Sequence, residues 1–379
     1  MPQHTSPAEN LSVADELILD GEKMGWHTDR VEAWERGERI APITIDMALT
    51  RKCDASCSFC YAMLQENARS EITVEHMTAF LDDSEAMGVR GISLVSDGES
   101  LLSPAYKHSI QYGARLGMSM ASGTNGRTFT PEMLDAVLPH LTYLRFNVSA
   151  GTPARYAEIM GFKEREFDRV RRNIAYAVEH KRKYDLDVTI GTQMVLMPNM
   201  ADQIEPFSQL AVDLGVDYGV IKHCSDDESG RLGVDYSKYP ELYPALQAAE
   251  AMSTDTTRVA VKWSKIGDEG RRDYRQCYGP PFLIQISGSG LVAPCGMLFN
   301  DRYAKFHIGN ITEQRWGDIW SSERYWEVMR YLGSDDFDAQ TMCGTLCLQH
   351  MVNQSLAGHV SGKRITRPEG TPPQHINFV

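Results

Sequence analysis

From about residue 41 onward, short apolar runs alternate with stretches whose apolar residues recur at helical spacing, the pattern of βαβ units that assemble into a parallel sheet. Residues 41–49 (APITIDMAL) predict the first strand and residues 91–96 (GISLVS) the second. Further strands are expected at 119–124, 143–149, 187–196 and 218–223, with helical stretches between them. Residues 73–87 predict a helix that starts at Thr73, whose side-chain oxygen can satisfy a free backbone N–H, with Glu75 in its first turn. Residues 166–180 place apolar side chains on one helical face and charges on the other. Six such strand–helix repeats predict an α/β fold, a partial (βα)6 TIM-like barrel. Barrels of this kind carry their chemistry on the loops that follow the strands.

The flanking segments carry different patterns. Residues 13–25 and 28–36 predict a helical lead-in, too short to hold a sheet before the first strand. After the sixth strand comes an acidic, glycine-bearing loop at 225–233 and a helix around 241–252, expected to bridge across part of the barrel mouth. Residues 282–292 (FLIQISGSGLV) read as two apolar runs around a Gly-Ser-Gly turn, a β-hairpin.

Composition narrows the function classes. A chain of 379 residues fits two or three domains, and 42% hydrophobic residues supply a large core. A formal net charge of −13 repels phosphate backbones and anionic lipid surfaces, so no nucleic-acid partner is expected. The first ten residues lack an apolar signal region, and no later stretch reaches the roughly 18 to 20 apolar residues of a membrane span. A cytoplasmic protein with no membrane partner is therefore expected. In that compartment eight cysteines point to metal or redox chemistry, because thiols there stay reduced.

Seven of the eight fall into two sets. Cys53, Cys57 and Cys60 stand as Cys-x3-Cys-x2-Cys directly after the first predicted strand. Three thiolates on one iron–sulfur cube leave an iron open to a chelating small molecule. A structural zinc site wants four closed ligands, and no histidine or cysteine within ten residues completes such a set. Cys277 and Cys295 bracket the hairpin, while Cys343 and Cys347 lie one helical turn apart. Those four can converge on one tetrahedral site, which a [4Fe–4S] cluster would saturate as an electron relay and which structural zinc would also fit. Cys224, at the end of the sixth strand, is left over.

The triplet, with Phe59 before its last cysteine, resembles the signature of the radical SAM enzymes. That resemblance implies a [4Fe–4S] cluster whose unique iron binds S-adenosylmethionine. It also implies an external one-electron reductant of the flavodoxin or ferredoxin type, and a 5′-deoxyadenosyl radical that takes hydrogen from an unactivated C–H bond. The second set, Cys277-x12-Gly290-x4-Cys295 with the later His307-Ile308-Gly309-Asn310-Ile311, Asp318-Ile319-Trp320 and the cysteine pair, resembles the SPASM and twitch extensions of that family. Four cysteines fit the shorter twitch form with one auxiliary [4Fe–4S] cluster. The likeness spans roughly residues 41–350. It divides the chain into a lead-in (1–40), a barrel core (41–224), a bridge (225–276), an auxiliary-cluster extension (277–350) and a tail (351–379).

The same resemblance implies further cofactor contacts. Gly98 and Glu99 sit where the family receives the methionine amine, with Asp97 in place of the usual glycine. Asn125, Asn147 and Ser149 match positions near the ribose and methionine moiety. Met160-Gly161 occupies the stretch where many relatives place an arginine for the cofactor carboxylate, leaving Lys163 and Arg165 as candidates.

Lys222, His223, Asp226, Asp227 and Glu228 would suit a small polar substrate such as a sugar, nucleotide sugar or aminocyclitol. The thiol of Cys224 could return a hydrogen atom to a substrate radical, which makes epimerisation the leading expectation. Dehydrogenation with the auxiliary cluster as electron acceptor is the alternative. Modification of a ribosomal peptide is another, weakened by the roughly forty residues before the first strand, too few for a leader-recognition domain. A non-catalytic iron–sulfur carrier or zinc module would have little use for the barrel.

Overall fold

The computed structural model describes residues 17, 23–67, 70–268, 271–343 and 347–379. Six parallel strands follow the predicted alternation: β1 (Thr44–Met47), β2 (Gly91–Leu94), β3 (Ser119–Thr124), β4 (Tyr143–Asn147), β5 (Thr189–Leu196) and β6 (Tyr218–His223). Two more extend the parallel array. β7 (Arg258–Val261) lies beside β6, with Tyr218 opposite Arg258, and β8 (Leu283–Ile286) lies beside β1, with Thr44 opposite Leu283. β9 (Leu291–Ala293) returns antiparallel from β8, and β10 (Gly309–Asn310) pairs antiparallel with β9. The strand order is β10-β9-β8-β1-β2-β3-β4-β5-β6-β7, so the barrel stays open between β7 and the hairpin side.

The bridge and the hairpin thus do more than the sequence pattern indicates. Residues 258–261 form a four-residue strand flanked by polar residues, which gives little periodicity to read. The hairpin is present as expected, but its first strand joins the barrel sheet instead of standing apart. Gly290 turns it in the left-handed region at φ 84°, where a side chain would be strained.

Helices α1 (Thr28–Glu35), α2 (Val74–Met87), α3 (Tyr106–Arg115), α4 (Pro131–Val137), α5 (Pro153–Met160), α6 (Glu164–Tyr184), α7 (Ile204–Leu214) and α8 (Tyr243–Glu250) belong to the lead-in, the crossovers and the bridge. The short α9 (Trp263–Ile266) follows β7, while α10 (Trp316–Ser321), α11 (Glu323–Leu332) and α12 (His350–Val360) complete the C-terminal part. Of the helix expected at 13–25, most lies outside the described residues. Thr73 caps α2 as its sequence implies: its oxygen accepts the His76 N–H at 3.2 Å while the His76 ring accepts the Thr73 N–H at 3.2 Å. On α6, Phe167, Val170, Ile174 and Ala177 are buried at helical spacing beneath an arginine- and lysine-rich outer face.

Ile45, Ile92, Leu144, Phe146 and Ile190 are fully buried along the strands, each side chain contributing about 1.5–3 kcal/mol by leaving water. The tail closes the end of the barrel where the strands begin. There Thr44 donates to the Asn377 carbonyl at 2.7 Å, Asn377 donates to Ser119 at 3.0 Å, and Lys23 donates to the Phe378 carbonyl at 2.8 Å. With that floor sealed, the opposite end is the mouth. No helix among the described residues is long and apolar enough to cross a membrane.

Candidate active site

The cysteine loop leaves β1 at the mouth and is pinned by three neighbours. The backbone N–H groups of Ser56 and Ser58 donate to the carbonyls of Met160 and Ile159 at 3.1 and 2.9 Å, so the C-terminal end of α5 fixes its centre. Asp54 accepts from the Asn125 amide at 2.7 Å and from Arg127 at 2.7 Å, which ties the loop to the end of β3. Met160-Gly161, the stretch where the family likeness implies an arginine, therefore anchors the loop, and a β-carbon on Gly161 would meet Ser56 at 2.7 Å. Asp54 and Arg127 were not singled out from sequence; their type and place in loops gave no signal. Cys53 is exposed at the mouth, while Cys57 and Cys60 are half-buried.

Asp97-Gly98-Glu99 follows β2. Gly98 sits at φ 104°, and a β-carbon there would fall on the Thr50 carbonyl and stand 2.9 Å from the Arg51 backbone, so only glycine fits. The Asp97 carboxylate is engaged elsewhere: it accepts from Ser287 at 2.6 Å and from the Gly288 N–H at 2.9 Å, and pairs with Arg51 at 3.3 Å. It is a tie between the β2 loop and the hairpin turn, and the departure from the usual glycine has that structural reason. Glu99 accepts the Asn125 N–H at 2.7 Å and the Leu101 N–H at 3.3 Å, and burial raises its carboxyl to about 7.

The remaining predicted residues separate. Phe59, Gly98, Glu99, Asn125 and Asn147 line one cavity of about 430 Å³ that runs from the cysteine loop down the barrel axis. Asn147 accepts from the Gln193 amide at 2.8 Å. Ser149 does not line the cavity: it is buried at φ 54° and its hydroxyl accepts the Val195 N–H at 3.1 Å, bracing β4 on β5. Cys224 is also fully buried, its thiol donating to the Phe59 carbonyl at 3.5 Å. Burial pushes that thiol up to about 12, which keeps it protonated. Lys163 and Arg165 stand outside the cavity, and Arg165 pairs with Glu166 at 3.3 Å. Asp226 and Asp227 are buried and serve their own loop: Asp226 accepts the Leu232 N–H at 2.9 Å and Asp227 holds Arg231 and Arg302.

Two charged residues with no expectation attached to them line the cavity from inside the strands, Asp46 on β1 and Arg145 on β4, and the expected Lys222 joins them from β6. Each interrupts an apolar strand, which was the available signal. Burial raises Asp46 to about 6, and the Gln285 amide donates to it at 3.3 Å.

The second set gathers around the hairpin and α12. Asn353 donates to the sulfurs of Cys277 and Cys347 at 3.5 and 3.4 Å, while its oxygen accepts the Gly279 N–H at 2.8 Å. Asn353 belongs to the stretch set apart as a tail from sequence. Burial raises Cys295 to about 12 and Cys343 to about 11, and each is disfavoured further as a thiolate by its neighbour Cys347, while Arg272 beside them favours the anion. Burial and mutual repulsion likewise raise Cys57. Buried thiols that repel one another on ionising fit a site whose charge is supplied by a bound cationic centre. As placed, no three His, Cys, Asp or Glu side chains among the described residues are close enough for a single metal ion. Replacing Asn353 with leucine removes the donor shared by two sulfurs. It should leave the first set's iron in place but speed bleaching of the second by air several-fold, read as biphasic loss of visible absorbance.

A family model for the Radical SAM superfamily matches residues 47–211, and one for SPASM, an iron–sulfur cluster-binding domain, matches residues 277–347. The AdoMet-dependent heme synthase of Methanosarcina barkeri is 24% identical over 328 residues, covering 80% of this chain and 88% of its own. Among solved structures, Streptococcus suis SuiB bound to S-adenosylmethionine superposes with a TM-score of 0.61 at 15% identity, over 80% of this chain and 72% of that one. Native anSMEcpe with bound AdoMet gives a TM-score of 0.55 at 12% identity, over 82% of this chain and 88% of that one.

An open parallel barrel with a three-cysteine loop at its mouth and a four-cysteine extension defines a radical SAM enzyme, and the two matched segments together cover more than half of the sequence. The chain belongs to the radical SAM superfamily and carries a SPASM-type C-terminal extension. Its cofactors are [4Fe–4S] clusters and S-adenosylmethionine, and its chemistry requires an external reductant.

Proposed function

We propose that this protein dehydrogenates a small polar molecule held inside the barrel, with Cys53, Cys57 and Cys60 holding the cofactor-binding cluster and Cys277, Cys295, Cys343 and Cys347 the auxiliary one. When bound, these groups supply a 5′-deoxyadenosyl radical for hydrogen abstraction and an acceptor for the second electron. The chain's own part is to bind and orient. Asn147 and Gln193 present a joined amide pair to the cavity, Glu99 and Asn125 lie beside the cysteine loop for the cofactor, and the tail excludes water from the floor. The reductant would be of the flavodoxin or ferredoxin type, in the cytoplasm.

The observation that carries dehydrogenation over epimerisation is the place of Cys224. Its thiol is buried behind the Phe59 carbonyl and is absent from the cavity lining, whereas a hydrogen donor must face the substrate. The test is 5′-deoxyadenosine formation by anaerobically reconstituted protein with S-adenosylmethionine and dithionite, run in D2O against sugars, nucleotide sugars, aminocyclitols and peptides. A stimulating small molecule should yield a product lighter by two hydrogens and free of solvent deuterium at the attacked carbon. Cys224→Ser should hold the rate within about threefold of the parent, under ~1 kcal/mol of barrier. Deuterium in the product, lost in Cys224→Ser, would restore epimerisation; stimulation by peptides alone would restore the peptide reading.

A further inference from the structure

The chain carries a formal net charge of −13, yet its cavity has the opposite balance. Lys23, Arg51, Arg145, Lys222, Lys262 and Lys265 line it against three acidic side chains, Asp46, Asp97 and Glu99. Asp97 is already held by Arg51, Ser287 and Gly288, and Glu99 by the backbone of Asn125 and Leu101. Asp46 alone remains for the cations of the inner wall, and the hydrogen bonds it accepts come from neutral groups, the Gln285 amide at 3.3 Å and the Ser93 hydroxyl.

Arg145 and Lys222 project inward from β4 and β6 on either side of β5. On the other side of Arg145, Gly123 of β3 leaves space for the guanidinium, since a β-carbon there would stand 3.4 Å from it, whereas the space over Gly191 on β5 is taken by the Tyr218 ring. Neither cation has a hydrogen bond or an ion pair within 4.0 Å to another described residue, and Arg145 Nε is buried without a partner. Beside Lys222, His223 lines the same cavity at 2% exposure with both ring nitrogens unpartnered. Burial, Arg145 and Lys265 together lower Lys222 to about 7. Two like charges withdrawn from water with one carboxylate, Asp46, between them and no direct ion pair are costly to fold, and a chain that keeps them beside a cavity keeps them for a ligand.

We propose that Arg145 and Lys222 form an anion-binding pair for the substrate, which is a small molecule bearing a carboxylate or phosphate group, so that neutral sugars and cationic aminocyclitols are not the substrate. This rests on the reading of the cavity as the substrate site and narrows it. A planar guanidinium can grip two oxygens of either anion, and an ammonium beside it supplies a point charge that the bound anion would in turn stabilise.

The test is calorimetric titration of the S-adenosylmethionine-saturated holoenzyme, anaerobic and at constant ionic strength, with inorganic pyrophosphate, D-glucarate and neutral D-glucitol. One of the two anions should bind, which also tells phosphate from carboxylate, and D-glucitol should not. Arg145→Gln and Lys222→Gln should each weaken that anion at least tenfold, Arg145→Lys should recover part of the loss, and S-adenosylmethionine affinity should stay at the parent value in all three. The inference is overturned if neither anion binds, if D-glucitol binds as well as they do, if both variants keep the parent affinity, or if the loss falls on S-adenosylmethionine instead. Should Arg145→Gln fail to fold by circular dichroism, Lys222→Gln gives the same reading. Substrate-free 5′-deoxyadenosine formation, measured in parallel, reports on the radical reading separately, so that its presence with no anion binding sinks this inference alone.

Discussion

Cys57→Ala will abolish 5′-deoxyadenosine formation while leaving the protein folded. The side chain is half-buried against the core, its sulfur 3.9 Å from the Met160 sulfur, so truncation should cost about 1 kcal/mol of packing. The loop does not depend on the thiol for its shape. Its backbone is held by the Met160 and Ile159 carbonyls, and its flank by Asp54 on Asn125 and Arg127. What is lost is one of three thiolates, and two cannot hold a cluster with an open iron. Iron content and visible absorbance should fall to about half of the parent, the remainder belonging to the four-cysteine set, while the far-ultraviolet circular dichroism stays unchanged. A variant that keeps full iron and still cleaves S-adenosylmethionine would remove Cys57 from the cluster. One that loses both iron and fold would mean the loop is shaped by its metal and not by its hydrogen bonds.

That separation of ligand from scaffold follows the line between what the sequence showed and what it did not. Strands β3 and β6 are where their alternation predicts, because each is a buried run closed by polar loop residues. Thr73 capped its helix because capping is local chemistry. Cys53, Cys57 and Cys60 were legible as a set because they recur at short spacings, whereas Cys277 and Cys295 join Cys343 and Cys347 in sequence only through the family likeness. Long-range ties have no such spacing: Asp97 to Ser287 spans 190 residues and Asn353 to Cys277 spans 76. β7 and the barrel role of β8 were hidden for the same reason, since partners across a sheet edge leave no trace in a four-residue run. Ser149 shows the converse error of position without direction: it stands at a strand end as the family likeness implies, but its hydroxyl faces β5 and not the cavity.

Of the inward charges of the barrel, Lys222 was named from sequence as a substrate candidate, while Asp46 and Arg145 were readable and passed over. Asp46, Arg145 and Lys222 each stand inside an apolar strand, where a solvent-facing explanation fails because the outer face of a parallel barrel strand is covered by helices. A charged residue in such a strand must face the interior or destabilise the sheet. Read that way, the sequence alone marks the cavity wall, and only the relative depth of the three needs the structure.

Asp97→Ala should be the most destabilising single change at the mouth. The carboxylate is 3% exposed and takes the Ser287 hydroxyl, the Gly288 N–H and the Arg51 guanidinium at once. Removing it strands a cation and two buried donors together, a loss of about 3–5 kcal/mol by the usual cost of breaking a buried charge pair from one side. The consequences spread in two directions because the residue joins two elements. Thr50 and Arg51, which lead into Cys53, pack against Gly98 and Gly288, so the cysteine loop loses its support from below. The hairpin turn at Ser287–Gly290 loses its tie to β2, and with it the register that brings Cys295 toward Cys277. Thermal unfolding should shift down by several degrees, and both clusters should reconstitute poorly. Asp97→Asn, which keeps an acceptor for Ser287 but not the charge for Arg51, should recover part of the stability. If Asp97→Ala unfolds like the parent and loads iron normally, the hairpin is held to the barrel by the β1–β8 pairing alone.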